Sequence, residues 1–392
     1  MSRNVHDIPG WLDIGVIPLV NLLIALLATG IVVALVGQNP LEVLAALVKG
    51  SVGTLRGLSY TLYYATTFVF TGLAVAVAFH TGLFNIGGEG QAMLGGLGAG
   101  LVALWLAPML PSGLMLPLML IASTLFGAVW ALVPAYLQAY RGSHIVITTI
   151  MFNFLASSLV VYLLVNVLKP AGEMAPESAA FAASARMPRM HEALHAIGIS
   201  WPSSPLNLSI LLAIASLIGV YILLWRTRIG YQIRASGASP GGAEYAGISP
   251  KRQILIAMGV SGAMAGMVAM NEVAGVHNKL LNDFVAGAGF TGIAVALMGR
   301  NHPVGIALSS ILFGMIFQGG AEVAFEVRGF SKDMVVMLQG FIVLFSGALA
   351  YAIAPLVGRL YLRRRLASAK PGQDNDIKET KKTKETKVVA HG

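Results

Sequence analysis

The chain contains no cysteine. That excludes a disulfide framework, a thiolate metal site and a cysteine nucleophile. Charge is scarce as well. Only 11% of the 392 residues are charged, whereas soluble domains carry roughly 25%. A surface built from so few charges does not face water over most of its area. No Gly-x4-Gly-Lys-Ser/Thr stretch occurs, so the chain lacks a Walker-type nucleotide site. No Ser-His-Asp set or close pair of acids suggests hydrolysis, and no catalytic residue is assigned. His144 stands without a second His or a carboxylate at ligand spacing, so no metal site is expected.

What the sequence does have is apolar length. Hydrophobic residues make up 56% of the chain, and the mean hydropathy is +0.75. Glycine is abundant at 45 residues. In membranes, small residues let helix backbones approach closely. The composition predicts an all-α, polytopic membrane protein with about ten spans, near 14–36, 57–79, 89–106, 116–138, 145–168, 207–225, 252–271, 287–299, 303–318 and 334–357. The runs 287–299 and 303–318 are short and lie close to Gly and Pro, as broken helices beside a transport path do. The N-terminus shows no cleaved signal pattern, and the first apolar run reads as a span.

The formal charge is +9, but the positions of the charges argue against nucleic acid. Of 26 Lys and Arg, ten lie from Arg359 onward and five within Arg226–Arg252. Ten spans with both termini cytoplasmic put Arg141, Arg226–Arg252, Arg300 and Arg363-Arg364-Arg365 inside, in accord with the positive-inside rule. The segment 169–206 then falls outside as a loop or a set of short surface helices. Residues 1–365 form the transmembrane domain. The polar tail 366–392 is expected to be a disordered cytoplasmic segment.

Four segments carry the polar groups that a membrane interior would reject unless they were paired or wet. His80–Gln91 places Phe84, Asn85, Glu89 and Gln91 among four glycines between two apolar runs. It reads either as a pore-lining break or as a short surface loop. Thr149 and Asn153, four apart, share a helix face and serve either as interhelical glue or as path lining. Around Glu272, MNEVAGVHNK precedes the Gly-rich FVAGAGFTG. Glu272 either sits in a path or caps an interhelical network. In the cytoplasmic stretch Arg226–Arg252, Ser239 is an N-cap and Pro240 a first helical residue, with Gly247 as the stop. The short helix between them displays Glu244 and Tyr245, and is too short to stand without a docking surface. The Gly-dense stretches 79–100 and 286–308 echo one another in opposite directions, as inverted repeats do.

As a set, GLFNIGGEGQ (82–91), VITTIMFN (146–153), RASGASPGGAEYAGISPKR (234–252) and GFTGIAVALMGRNHPVG (289–305) resemble the branched-chain amino acid/sugar/nucleoside permease family of ABC importers. The likeness is strongest to the larger permease of nucleoside or simple-sugar systems and runs from about 57 to 357. The resemblance implies a bacterial cytoplasmic-membrane protein, paired with a second permease in a heterodimer. It implies a cytoplasmic ATPase that carries the ATP and Mg, and an external solute-binding protein. No cofactor would sit on this chain itself. It also implies a coupling role for Ser239, Pro240, Ala243, Glu244, Tyr245 and Gly247. The translocation path would draw on Phe84, Asn85, Glu89, Gln91, Asn153 and Glu272. Gly241-Gly242 departs from the family, which more often has a shorter or Ala-rich helix start there. A branched-chain amino acid permease and an ion-coupled secondary transporter are the alternatives.

Overall fold

The computed structural model describes residues 16–327 and most of 334–345. The expected span 334–357, the basic run 363–365 and the tail 366–392 lie wholly or largely outside the described residues. Fourteen α-helices are found among the described residues, with no strand beyond the isolated bridges Glu177–Leu281 and Arg189–Asn207.

Six helical stretches are long and apolar enough to cross a membrane: Leu55–Phe79 (α3), Ser112–Arg141 (α5), Ile145–Leu168 (α6 and a π turn), Ser209–Arg226 (α8), Pro250–His277 (α11, α12 and a π turn) and Pro303–Glu326 (α14). The chain is therefore a multi-pass helical membrane protein, with six such stretches among the described residues where the sequence suggested about ten. The run 334–357 lies largely outside the described residues, and the runs near 89–106 and 287–299 fall short for physical causes. Helix α4, Gly88–Leu106, is buried without a break from Gly88 to Gly100. Its glycines and its Glu89-Gln91 start dilute its apolarity, because it faces protein and not lipid. Helix α1, Ile17–Leu35, is followed at once by a 13-residue helix, α2 (Pro40–Val52). Asn39 caps α2 by accepting from Leu41 N, Pro40 opens it, and the helix packs on α14 and α3.

The run at 287–299, short for a span in the sequence, is a half-length helix, α13 (Ala288–Met298). The irregular segment 278–287 leads into it along α4. Leu280 lies beside Gly100 near the far end of α4, and Phe284 lies beside Gly96. Gly289 meets Glu89 at the start of α4. Non-helical backbone at such depth survives only when protein surrounds it, and here α4 does so. Asp283, Ala286 and Gly287 all take positive φ in this stretch, a conformation costly for residues that carry a Cβ.

Glycine sets the central crossings. Gly127 of α5 faces Gly262 and Gly266 of α11, and Gly95 of α4 faces Gly266 from the other side. A Cβ at any of these would be driven into backbone, so three helices meet at contact distance. Large apolar side chains on α5, α6 and α8 point away from this core and are exposed, among them Leu125, Phe154 and Ile218. In a membrane protein that belt belongs to lipid.

Candidate functional site

The polar residues singled out in the sequence gather into two buried networks and one exposed helix. The first network lies where α4 begins. Asn85 and Gln91 exchange amide hydrogen bonds at 3.0 and 3.2 Å. Asn85 also donates to Ser261 Oγ at 2.9 Å and accepts from Gly87 N. Asn153 of α6 accepts from Gly90 N and donates to the Ile86 carbonyl, both at 2.9 Å. Phe84 packs edge-on against Phe79. Thr149 bonds within its own helix to Ile145 and Val146.

Glu89 performs a separate task from this end of α4. Its two carboxylate oxygens accept from Gly287 N and Gly289 N, each at 2.8 Å. The N-termini of α4 and α13 therefore meet around one carboxylate. Both helix dipoles present their positive ends there, and the bonds are charge-assisted. The two Gly-dense stretches that echo one another in sequence are clamped together at this point.

The second network surrounds Glu272, which is 6% exposed. Tyr63 OH and Thr67 Oγ1 each donate to it at 2.5 Å, and Asn271 Nδ2 donates at 3.3 Å. Asn271 in turn accepts from Asn207 Nδ2 and Ser209 Oγ, which ties the start of α8 into the cluster. A π turn, Val273–His277, follows Glu272 directly. Such turns concentrate at functional sites. This one ends with Asn278 in the left-handed region.

A cavity of about 320 Å³ opens beside Glu272, within the ~300–1,000 Å³ range of small-molecule sites. Its walls are α3, the irregular segment 281–288 and Phe317 of α14. A wider vestibule of about 640 Å³, with Arg56, Tyr60 and Arg189 in its walls, adjoins it. Tyr63 lines both spaces. Glu272 stands out in the sequence as a carboxylate in an apolar setting, whereas Tyr63, Tyr64, Thr67, Phe68 and Asn271 do not. The signal was present: 63/67 and 64/68 are i,i+4 pairs on one helix.

The segment 169–206 folds down beside this end of the bundle. Trp201 donates to Ser59 Oγ, Phe181 N donates to the Asn278 carbonyl, and Lys279 pairs with Glu177 at 2.6 Å. The opposite end carries the short helices. Helix α9 (Arg228–Ala238), which no sequence signal marks, packs on α8, α10 and α11. Ser239 caps α10 (Pro240–Tyr245), accepting from Gly242 N at 3.2 Å. Gly247 stops the helix at φ +77°. Ala243 and Ile248 turn inward, whereas Glu244 is exposed and Tyr245 is 98% exposed. Near α9, His80 donates to the Asn301 carbonyl at 3.1 Å and packs on Trp225, which also contacts His302 and Arg234. Burial pushes His80 below the ordinary histidine range, and the charges of Arg234 and His302 add to this.

A Gly-packed helical bundle with a polar cavity at one end and an exposed basic helical hairpin at the other defines a polytopic membrane protein of the transport class. Residues 57–347 match the family model described as branched-chain amino acid transport system / permease component, and the chain belongs to that family. It is similar to the glucose ABC transporter permease protein of Haloferax volcanii, at 32% identity over 87% of this chain and 88% of that one. The guanosine ABC transporter permease protein of Bacillus subtilis is 31% identical over 88% and 96%. The nucleoside ABC transporter permease protein of Lactococcus lactis is 30% identical over 84% and 89%. No solved structure matches the chain.

Proposed function

We propose that this chain is the membrane-spanning permease subunit of an ATP-driven importer, and that it moves a nucleoside or simple sugar handed over by an external binding protein. Similarity to guanosine, nucleoside and glucose permeases over more than four fifths of the chain carries the reading. Those relatives favour this solute class over a branched-chain amino acid. In this reading the protein sits in the bacterial cytoplasmic membrane with both termini inside. Ten crossings, one of them the broken pair of segment 278–287 and α13, satisfy that orientation. Arg141, Arg226, Arg228, Arg234, Lys251 and Arg252 then face the cytoplasm.

Solute leaves the binding protein into the vestibule, passes Tyr63 and enters the cavity beside Glu272. Phe84, Asn85, Glu89, Gln91 and Asn153 form the inner floor of the path, their polar groups holding it shut in this state. The partner ATPase binds ATP and Mg and grips α10 through Glu244 and Tyr245, with Ser239, Pro240, Ala243 and Gly247 fixing the grip's shape. Force passes from α10 through α9 to the Trp225–His80–His302 contacts and then to Asn301. Helix α13 is bounded by left-handed residues at both ends, Asp283, Ala286 and Gly287 before it and Arg300 and Asn301 after it. It moves as a rod between two hinges and changes the cavity wall. A second permease, in a heterodimer, closes the cavity's open side.

The test is reconstitution. Vesicles holding the complete transporter should accumulate solute only with ATP on the ATPase side, and Glu244→Arg should abolish uptake while membrane insertion stays normal. Uptake that survives ATP depletion and collapses with an uncoupler would establish the ion-coupled alternative.

A further inference from the structure

Helix α5 shows two sides of opposite character. Ile121, Leu125, Val129, Leu132, Tyr136 and Tyr140 recur every three or four residues and are all exposed. This stripe rises about 29 Å, which matches the ~30 Å hydrocarbon core of a bilayer. It holds no small residue. The small residues Ser123, Gly127, Ala131 and Ala135 are buried on the other side of the helix, and Gly127 lies against α11. Helices in a membrane meet through small residues, so the buried side is the protein side and the stripe faces lipid.

The chemistry of the stripe changes at its cytoplasmic end. Tyr136 and Tyr140 stack with ring centroids 5.0 Å apart, and Lys251 Nζ stands 5.4 Å from the centroid of Tyr140. Arg141, the last residue of α5, is exposed, as is Arg252, next to Lys251 in the first turn of α11. Neither of these turns contains an acid. The ion pairs found among the described residues, Lys49–Glu326 and Lys279–Glu177, involve none of the three cations. Tyrosines at the end of an apolar belt mark the membrane–water interface, and cations beside them stand at the level of lipid head groups. A molecule that answers this surface has an apolar tail and an anionic head. From Val129 to Tyr140 the stripe rises about 16 Å, close to half of the ~30 Å core and so to one leaflet. A zwitterionic head would set its own ammonium against Lys251. We infer that the end of α5 and the first turn of α11 form a binding site for an anionic phospholipid, with its phosphate among Arg141, Lys251 and Arg252 and an acyl chain along Val129, Leu132 and Tyr136. The lipid ties α5 to the corner between α10 and α11. The site lies apart from the cavity beside Glu272 and is independent of which solute the chain moves.

The complete transporter in detergent is titrated with short-chain phosphatidylglycerol or phosphatidylcholine, and bound lipid is counted by native mass spectrometry. Phosphatidylglycerol should bind saturably, phosphatidylcholine far more weakly, and inorganic phosphate should not displace the lipid. Lys251→Gln combined with Arg252→Gln should weaken the half-saturation for phosphatidylglycerol about 25-fold, roughly fivefold for each cation lost. Arg226→Gln combined with Arg228→Gln removes the same charge from two exposed positions elsewhere on that face and should leave the half-saturation unchanged. Equal binding of the two lipids, displacement by inorganic phosphate, or a Lys251→Gln/Arg252→Gln variant that binds like the parent would overturn the site. An equal loss in the Arg226→Gln/Arg228→Gln variant would overturn it as well, because it would reveal diffuse attraction to the whole face.

Discussion

Glu89→Ala is the sharpest perturbation the structure offers. It removes the acceptor from two backbone N–H groups, Gly287 and Gly289, deep in the bundle. A buried donor left without a partner costs roughly 1–3 kcal/mol, and loss of the anion at a helix N-terminus adds about 0.3–1 kcal/mol. Relief from burying the carboxylate offsets part of this, leaving a net loosening of about 2–4 kcal/mol. That loss falls on one segment and not on the whole bundle, because the clamp joins only α4 to the 283–289 stretch. Local opening should therefore rise by roughly 30- to 700-fold. Val285, 2% exposed within that segment, is the reporter. The chain has no native cysteine, so Val285→Cys introduces the one thiol and its maleimide labelling rate reads the opening. Glu89→Gln should fall between, since its oxygen can accept from one glycine while its amino group meets the other donor. If Val285→Cys labels at the same rate in Glu89→Ala as in the Glu89 parent, the clamp holds nothing and the reasoning fails.

The orientation gives a second prediction. An impermeant maleimide applied to intact cells should label Asn282→Cys but not Tyr245→Cys, with the reverse in inverted vesicles; labelling of both from one side would contradict the crossing pattern. Gly266→Leu should abolish recovery of folded protein, since Gly266 lies against the Ser123 carbonyl, whereas Gly219→Leu on α8, which has open space, should change the unfolding temperature little. Ser239→Ala should destabilise α10 by about 1 kcal/mol and lower coupled ATPase stimulation, and unchanged stimulation would remove the cap from the argument. His80 has a folded pKa below its unfolded value. Its neutral form therefore supports the fold above the ordinary histidine pKa of about 6.5, and that support is lost as pH falls below it. An unfolding-temperature profile between pH 8 and 5 should flatten in His80→Gln.

Legibility in the sequence followed the range of the interaction. Ser239, Pro240 and Gly247 shape α10 through bonds to their own neighbours, so spacing alone disclosed cap, first turn and stop. The same local signals mark α2, with Asn39, Pro40 and Glu42 at its start and Lys49 in its last turn, but they fall in the gap between the runs 14–36 and 57–79, which is too short to cross and reads as a connection. Helix α9 was hidden for a different reason, as a basic, Gly-containing stretch that is helical because α8 and α11 hold it. Glu89 and Glu272 were visible as costly residues in an apolar setting. Which of them caps backbone and which opens onto a cavity depends on partners about 200 residues away, and a single chain pattern cannot encode that choice. The 287–299 run was legible as a short, broken piece, but the irregular segment 278–287 before it was not, because irregular backbone has no period to detect. Its glycines and Asp283 were the trace it left.

That irregular segment also explains why the long loop 169–206 folds inward instead of trailing off the end of the bundle. Segment 278–287 cannot satisfy its own backbone groups as a helix would. At its deep end Glu89 takes the N–H of Gly287, together with that of Gly289 in the first turn of α13. At its far end the loop takes over: Leu280 N donates to Ser178 Oγ, Ser178 N donates to the Leu280 carbonyl, and the Asn278 carbonyl accepts from Phe181 N. Asp283 and Ala286, with their left-handed backbone, are strung between these two fastenings and line the cavity. A strap fixed at both ends can carry strain in its middle, and strain there can only be relieved by moving one of the fastenings. Movement of the loop against its own end of the bundle, or of α13 against α4, therefore reshapes the same wall. The two faces of the protein can act on one cavity without any helix bending at its centre.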